Sequence, residues 1–114
     1  MPPSVVVVIR EDPRKTHRAV EALRIALGLS TGENPMTVVL LGQAPVLISE
    51  DSEDVVDGEI LEKYLPSFKH LQIPFALLSG TGSLFGLDPE FKVSELTEDG
   101  LQSLIAGADR TLIF

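Results

Sequence analysis

Residues 4 to 9 read SVVVVI, an uninterrupted run whose last five residues are all β-branched. A strand sends successive side chains to opposite faces of its sheet. A run that is apolar at every position must therefore be covered on both faces, as happens when helices pack on both sides of a parallel sheet. Met36 to Leu41 (MTVVLL) reads the same way, and Ile73 to Leu78 (IPFALL) supplies a third strand.

Between these runs the period changes from two to that of a helix. In EDPRKTHRAVEALRIALGL, Thr16, Val20, Leu23 and Leu27 share one side, and Ala19, Ala22 and Ala26 fill it. Asp12 followed by Pro13 predicts the helix start, because the carboxylate caps free amides and proline lacks one. Gly28 to Gly32 predicts its end. Glu59 to His70 (EILEKYLPSFKH) places Ile60, Leu61, Tyr64, Leu65 and Phe68 at helical spacing, with Pro66 expected to kink or divide the helix. Phe91 to Val93 is a short fourth strand. Thr97 caps a helix from Glu98 to about Ala106, and Gly107 closes it. Thr111 to Phe114 is the final strand.

The order is strand, helix, strand, helix, strand, loop, short strand, helix, strand. It predicts one α/β domain over residues 1–114: a three-layer sandwich of flavodoxin-like architecture. Its central sheet is mostly parallel, has about five strands and is flanked by helices. With 114 residues, 44% hydrophobic and only 5% aromatic, the core is expected to be aliphatic. A chain of this size buries about two-thirds of its unfolded surface.

The formal net charge is −8. Nucleic acid and anionic membrane surfaces are repelled by such a chain, so neither is an expected partner. No apolar run is long enough to span a bilayer. The apolar stretch in MPPSVVVVIRED is too short for a signal-peptide core and meets charge at once, so a cytoplasmic location is expected. Cysteine is absent. That excludes disulfides, thiolate metal sites and thiol catalysis.

Three stretches are candidates for chemistry. The first is SGTGSLFG, residues 79 to 86, which leaves the third strand where ligands of open α/β sheets bind. It does not fit the dinucleotide pattern, because Phe85 stands at the third glycine position, and it lacks the Lys-Ser/Thr of a P-loop. Neither Ser79 nor Ser83 is flanked as in a nucleophile elbow. Two readings remain: a plain strand exit rich in left-handed positions, or a small anion loop. The second would use the amides of residues 79 to 83, including Gly80 and Gly82, with the hydroxyls of Ser79, Thr81 and Ser83. The second candidate is the basic group Arg10, Arg14, Lys15, His17 and Arg18. Arg10 and Arg14 could oppose the glycine loop, the whole group could meet an acidic surface of another subunit, or it could be a solvated helical turn. The third is the acidic run Glu50, Asp51, Glu53, Asp54, Asp57 and Glu59. Val55 and Val56 break the alternation a calcium loop needs, so it reads as a solvated loop whose later acids favour a helix start. His17 and His70 have no partner at ligand spacing. No metal and no cofactor is expected, and no recognisable base stands near a serine or threonine nucleophile.

Taken in order, VVVVIREDPRKTHRAVEALRIALGL, MTVVLLGQAPVLI, LEKYLPSFKHLQIPFALLSGTGSLFGL and SLIAGADRTLIF resemble the DsrE/DsrF-like family of small sulfur-relay proteins. The resemblance spans nearly the whole chain and implies a DsrEFH-like fold. In that family the third strand ends in a cysteine that carries sulfane sulfur as a persulfide. It stands about eight residues before the glycine of an Arg-Gly-hydrophobic element. Counted back from Gly86 in Phe85-Gly86-Leu87, that position is Leu78, and Phe85 stands where a basic residue is common. Relay needs a thiolate, which leucine does not offer. Such families form trimers, hexamers or mixed complexes in which some subunits lack the cysteine. The resemblance thus implies a non-catalytic binding or assembly subunit, its pocket walled at Leu78. The alternative is a small-ligand, nucleotide or phosphate binder built on residues 79–86.

Overall fold

The computed structural model describes residues 3–32, 34–50 and 54–114. The β-branched run becomes β1, Val5–Ile9, buried at every position. Four more strands join it: β2, Met36–Leu40; β3, Phe75–Leu78; β4, Val93–Leu96; and β5, Arg110–Ile113. They form one sheet in the order β4-β3-β2-β1-β5, and every neighbouring pair is parallel. Three α-helices connect them: α1, Arg18–Ser30; α2, Gly58–Leu71; and α3, Glu98–Ala106.

Alternation along β1 divides the core in two. Val5, Val7 and Ile9 join the larger cluster, with Ala19, Val20, Ala22, Leu23 and Ala26 of α1, Leu61 and Phe68 of α2, and the 3-10 segment Ala44–Ile48. Val6 and Val8 join Val39, Ala76 and Leu101 on the α3 side. The expected three-layer α/β sandwich is what forms, with an all-parallel rather than mostly parallel sheet.

Three local expectations are corrected. Asp12 does not cap α1. Its carboxylate accepts from the Arg14 N–H (2.9 Å) and its carbonyl from the amides of Lys15 (3.0 Å) and Thr16 (3.2 Å). This makes a separate turn, and the helix begins only at Arg18. Pro13 is buried in that turn and its carbonyl takes the Val56 N–H at 2.8 Å, so tertiary packing holds the turn apart from the helix. Pro66 does not divide α2, which runs unbroken through it. The proline is exposed, so the carbonyl it leaves without a partner, on Glu62, is on the wetted side, while Leu61 and Phe68 anchor the helix either side of it. The fourth strand lies at Val93–Leu96 rather than Phe91–Val93. Phe91 turns instead into the core, its ring edge-on to Phe75 at 5.6 Å.

Thr97 does cap α3, its hydroxyl accepting from Gly100 N–H at 3.0 Å. No helix among the described residues is long and apolar enough to cross a membrane.

Candidate functional site

At the carboxyl end of the sheet, β3 and β4 send their exits to opposite sides. The connection leaving β3 packs toward α2, with Phe91 in the larger cluster, whereas β4 leads into α3 on the other face. A gap opens where neighbouring exits diverge in this way, and parallel α/β sheets bind ligands in such gaps. The glycine loop stands there.

Leu78 ends β3, pairs with Leu96 of β4 and is half-buried against the α3-side core. The Ser79 N–H extends the ladder to Leu96 O at 2.9 Å. Gly80 then turns the chain at φ +85°, a conformation that side chains oppose. The Thr81 N–H donates to Leu78 O at 3.0 Å, and a 3-10 turn at Gly82–Leu84 follows. The Ser83 hydroxyl donates to Gly80 O at 3.0 Å. The Gly82 N–H donates to the Glu95 carboxylate at 3.1 Å. The loop therefore does direct an amide at an anion, and the anion is the protein's own.

Sequence reasoning brought Arg10 and Arg14 to this loop. Arg10 follows β1, on the same rung as Leu78 but with β2 between them. Arg14 sits in the Asp12 turn, which is fastened to Val56 instead. Both are exposed. Among the described residues, no hydrogen bond joins Ser79, Thr81 or Ser83 to a histidine or a carboxylate side chain, so nothing there activates a hydroxyl. In the acidic run, Asp51 and Glu53 lie outside the described residues. Asp57 precedes α2 at φ +60° and Glu59 lies in its first turn. Among the described residues, no group of three or more His, Asp or Glu is placed to hold a metal ion. One surface cavity of about 360 Å³, lined in part by Ser4, Thr37, Leu104 and Ala108, opens at the other end of the sheet, away from these residues.

The far limb of the loop is pinned by groups the sequence did not reveal. Lys69 of α2 bridges Asp88 (2.8 Å) and Glu90 (3.2 Å), and its ammonium lies 5.0 Å from the centre of the Phe91 ring. Lys69 and Asp88 are far apart in sequence and on different elements, so no spacing announces the pair. The Lys69 ammonium holds the Asp88 carboxyl below its usual range, helped by the Glu90 N–H. Bonding to Asp88, and then Glu90, outweighs desolvation and raises Lys69 above its usual range.

The two shifts set a pH window. The lowered Asp88 pKa adds stability above its unfolded value of 3.8, lost as pH falls through the folded value below that. The raised Lys69 pKa adds stability below 10.5, lost as pH rises through a folded value above it. A partly exposed pair of this kind is worth about 1 kcal/mol or less. Urea unfolding of wild type and Lys69→Met is expected to differ by that much at neutral pH, and by less at pH 2. An equal difference at both would show that packing, not charge, holds the limb.

No protein-family model matches the chain, and no curated protein matches it in sequence. Among solved structures, the crystal structure of the YchN protein from E. coli is similar, with a TM-score of 0.77 and 19% identity over 100% of both chains. At that identity the likeness shows the fold alone: a five-stranded, all-parallel α/β sheet shared from end to end.

Proposed function

We propose that this chain is a non-catalytic DsrE-like protein, a binding or assembly subunit linked to sulfur-relay-type systems. The observation that carries the reading is Leu78. It ends β3, the position the family resemblance assigns to the sulfur-accepting cysteine, in a chain that has no cysteine at all. Sulfur transfer proceeds by thiolate attack and a persulfide carrier, and the thioethers of Met1 and Met36 form neither. What the fold retains is a shaped surface. In this reading the chain is cytoplasmic and assembles as a homo-oligomer, a trimer or hexamer, or joins a mixed DsrE-like complex.

Light scattering after size exclusion tests the reading. A stable oligomer at micromolar concentration is expected, and a strict monomer that also captures no DsrE-like partner sinks it. Purified wild type should acquire no label from a sulfane-sulfur donor. Uptake and onward transfer of label would be equally fatal.

One observation favours a second reading, that of a small-anion binder: the Gly82 amide already holds a carboxylate. A ligand competing with Glu95 for that amide would raise the melting temperature, corresponding to about 2.7 kcal/mol at a hundredfold excess over Kd. A thermal-shift screen of phosphates, nucleotides and flavins that stays flat removes this alternative.

A further inference from the structure

The register of the sheet lines up four residues at its carboxyl end. Val8 pairs with Val39, Val39 with Ala76, and Ala76 with Ser94. Two residues further along each chain, the next rung on the same face runs Arg10, Leu41, Leu78, Leu96. Val8, Val39 and Ala76 are closed off by the α3-side core, at 3%, 0% and 1% exposure. Burial stops at the next rung. Leu41, Leu78 and Leu96 pack on the same core but are only half-buried. Arg10 is exposed and forms no ion pair among the described residues. At the other end, Leu96 leads through Thr97 to Glu98 and Asp99, which are exposed and also in no ion pair.

The result is a strip with a cation at one end, three leucines along it and two carboxylates at the other. Three strand spacings set its length at about 14 Å. Turned about a two-fold axis passing between Leu41 and Leu78, such a strip is its own complement. Leu41 of each copy meets Leu78 of the other, and each Arg10 comes opposite Leu96, beside which the first turn of α3 carries Glu98 and Asp99. We infer that this strip is an isologous interface between two copies of the chain, Arg10 facing Glu98 and Asp99 of the partner subunit. The inference rests on the assembly-subunit reading and names a two-fold contact that fits its hexamer rather than a trimer alone. Charge order is what selects a second copy. Two chains of net charge −8 repel at a distance, so a docking face between them has to set a cation against an acid. Leu84, 77% exposed on the loop leaving Leu78, would add apolar contact at the rim.

Charge-swap variants test it, with the molar mass read by light scattering and folding checked by circular dichroism. Arg10→Glu is expected to raise the dissociation constant about tenfold or more, and the double variant Glu98→Arg/Asp99→Arg to do the same. Combining all three substitutions in one chain should restore association. Leu78→Glu, or Leu41→Ser if the first does not fold, should shift the assembly to lower mass. A wild-type oligomer indifferent to all of these variants overturns this inference alone. A loss at Arg10→Glu that the triple variant does not repair overturns the pairing. A monomeric wild type overturns this inference, and the assembly reading as well if the chain also captures no DsrE-like partner.

Discussion

Phe75→Ala is expected to lower the unfolding free energy by about 3–5 kcal/mol, the range for emptying a fully buried aromatic site. Phe75 is 0% exposed and lies between two other rings, Phe68 at 5.5 Å and Phe91 at 5.6 Å. Those rings belong to α2 and to the connection that brings the chain from the glycine loop to β4. One side chain thus ties β3 to a helix and to the loop it feeds. Against a total stability of 5–15 kcal/mol typical of such domains, the loss is a large fraction. The urea midpoint should fall sharply. The double variant Phe75→Ala/Phe91→Ala should cost less than the two singles added, because each deletion removes the same ring contact. Leu84→Ala, at a position 77% exposed, should stay within about 0.5 kcal/mol. Equal losses at Phe75 and Leu84 would contradict the packing described.

The second large effect is chemical. Leu78→Cys is expected to convert a chain that accepts no sulfane sulfur into one that accepts about one atom per chain. Its thiolate would attack a polysulfide, forming the persulfide and releasing the polysulfide shortened by one sulfur. The position suits this because Leu78 is half-buried at the strand end and backed by the α3-side core. Mass spectrometry reads the added sulfur, and Leu41→Cys on the next strand is the control. Labelling at residue 41 equal to that at residue 78 would show that exposure alone, not the β3 position, governs uptake. No labelling at residue 78 in a folded variant would undermine its assignment as the place of a lost relay group.

Much of the architecture was legible because two periods dominate it. The β-branched VVVVI run reads as a strand covered on both faces, and the Ala-Leu stripe of α1 as a face that packs on the core. Thr97 was recognised from its place before a helical pattern. Edge position hid β4: Val93–Leu96 reads VSEL, with Ser94 and Glu95 exposed, so its apolar signal is weak and Phe91 drew the prediction toward itself. Pro66 does not divide α2, because propensity rules describe a helix in isolation, whereas the buried side of α2 holds the helix together here.

The candidate site divides in the same way. Glycines after a strand marked the loop, and counting from Gly86 marked Leu78, since both depend on neighbours in the chain. The Glu95 carboxylate on Gly82, the Lys69 pin and the strip from Arg10 to Leu96 depend on which strands stand side by side. Residue order by itself settled the α/β alternation, a core that is mostly aliphatic and covered on both faces, and the absence of any sulfhydryl, because periodicity and composition are local properties. Only the tertiary structure decided the strand order β4-β3-β2-β1-β5, and with it which charges and leucines share a rung. Strand neighbours are chosen by burial over the whole sheet, and no window of sequence contains that choice.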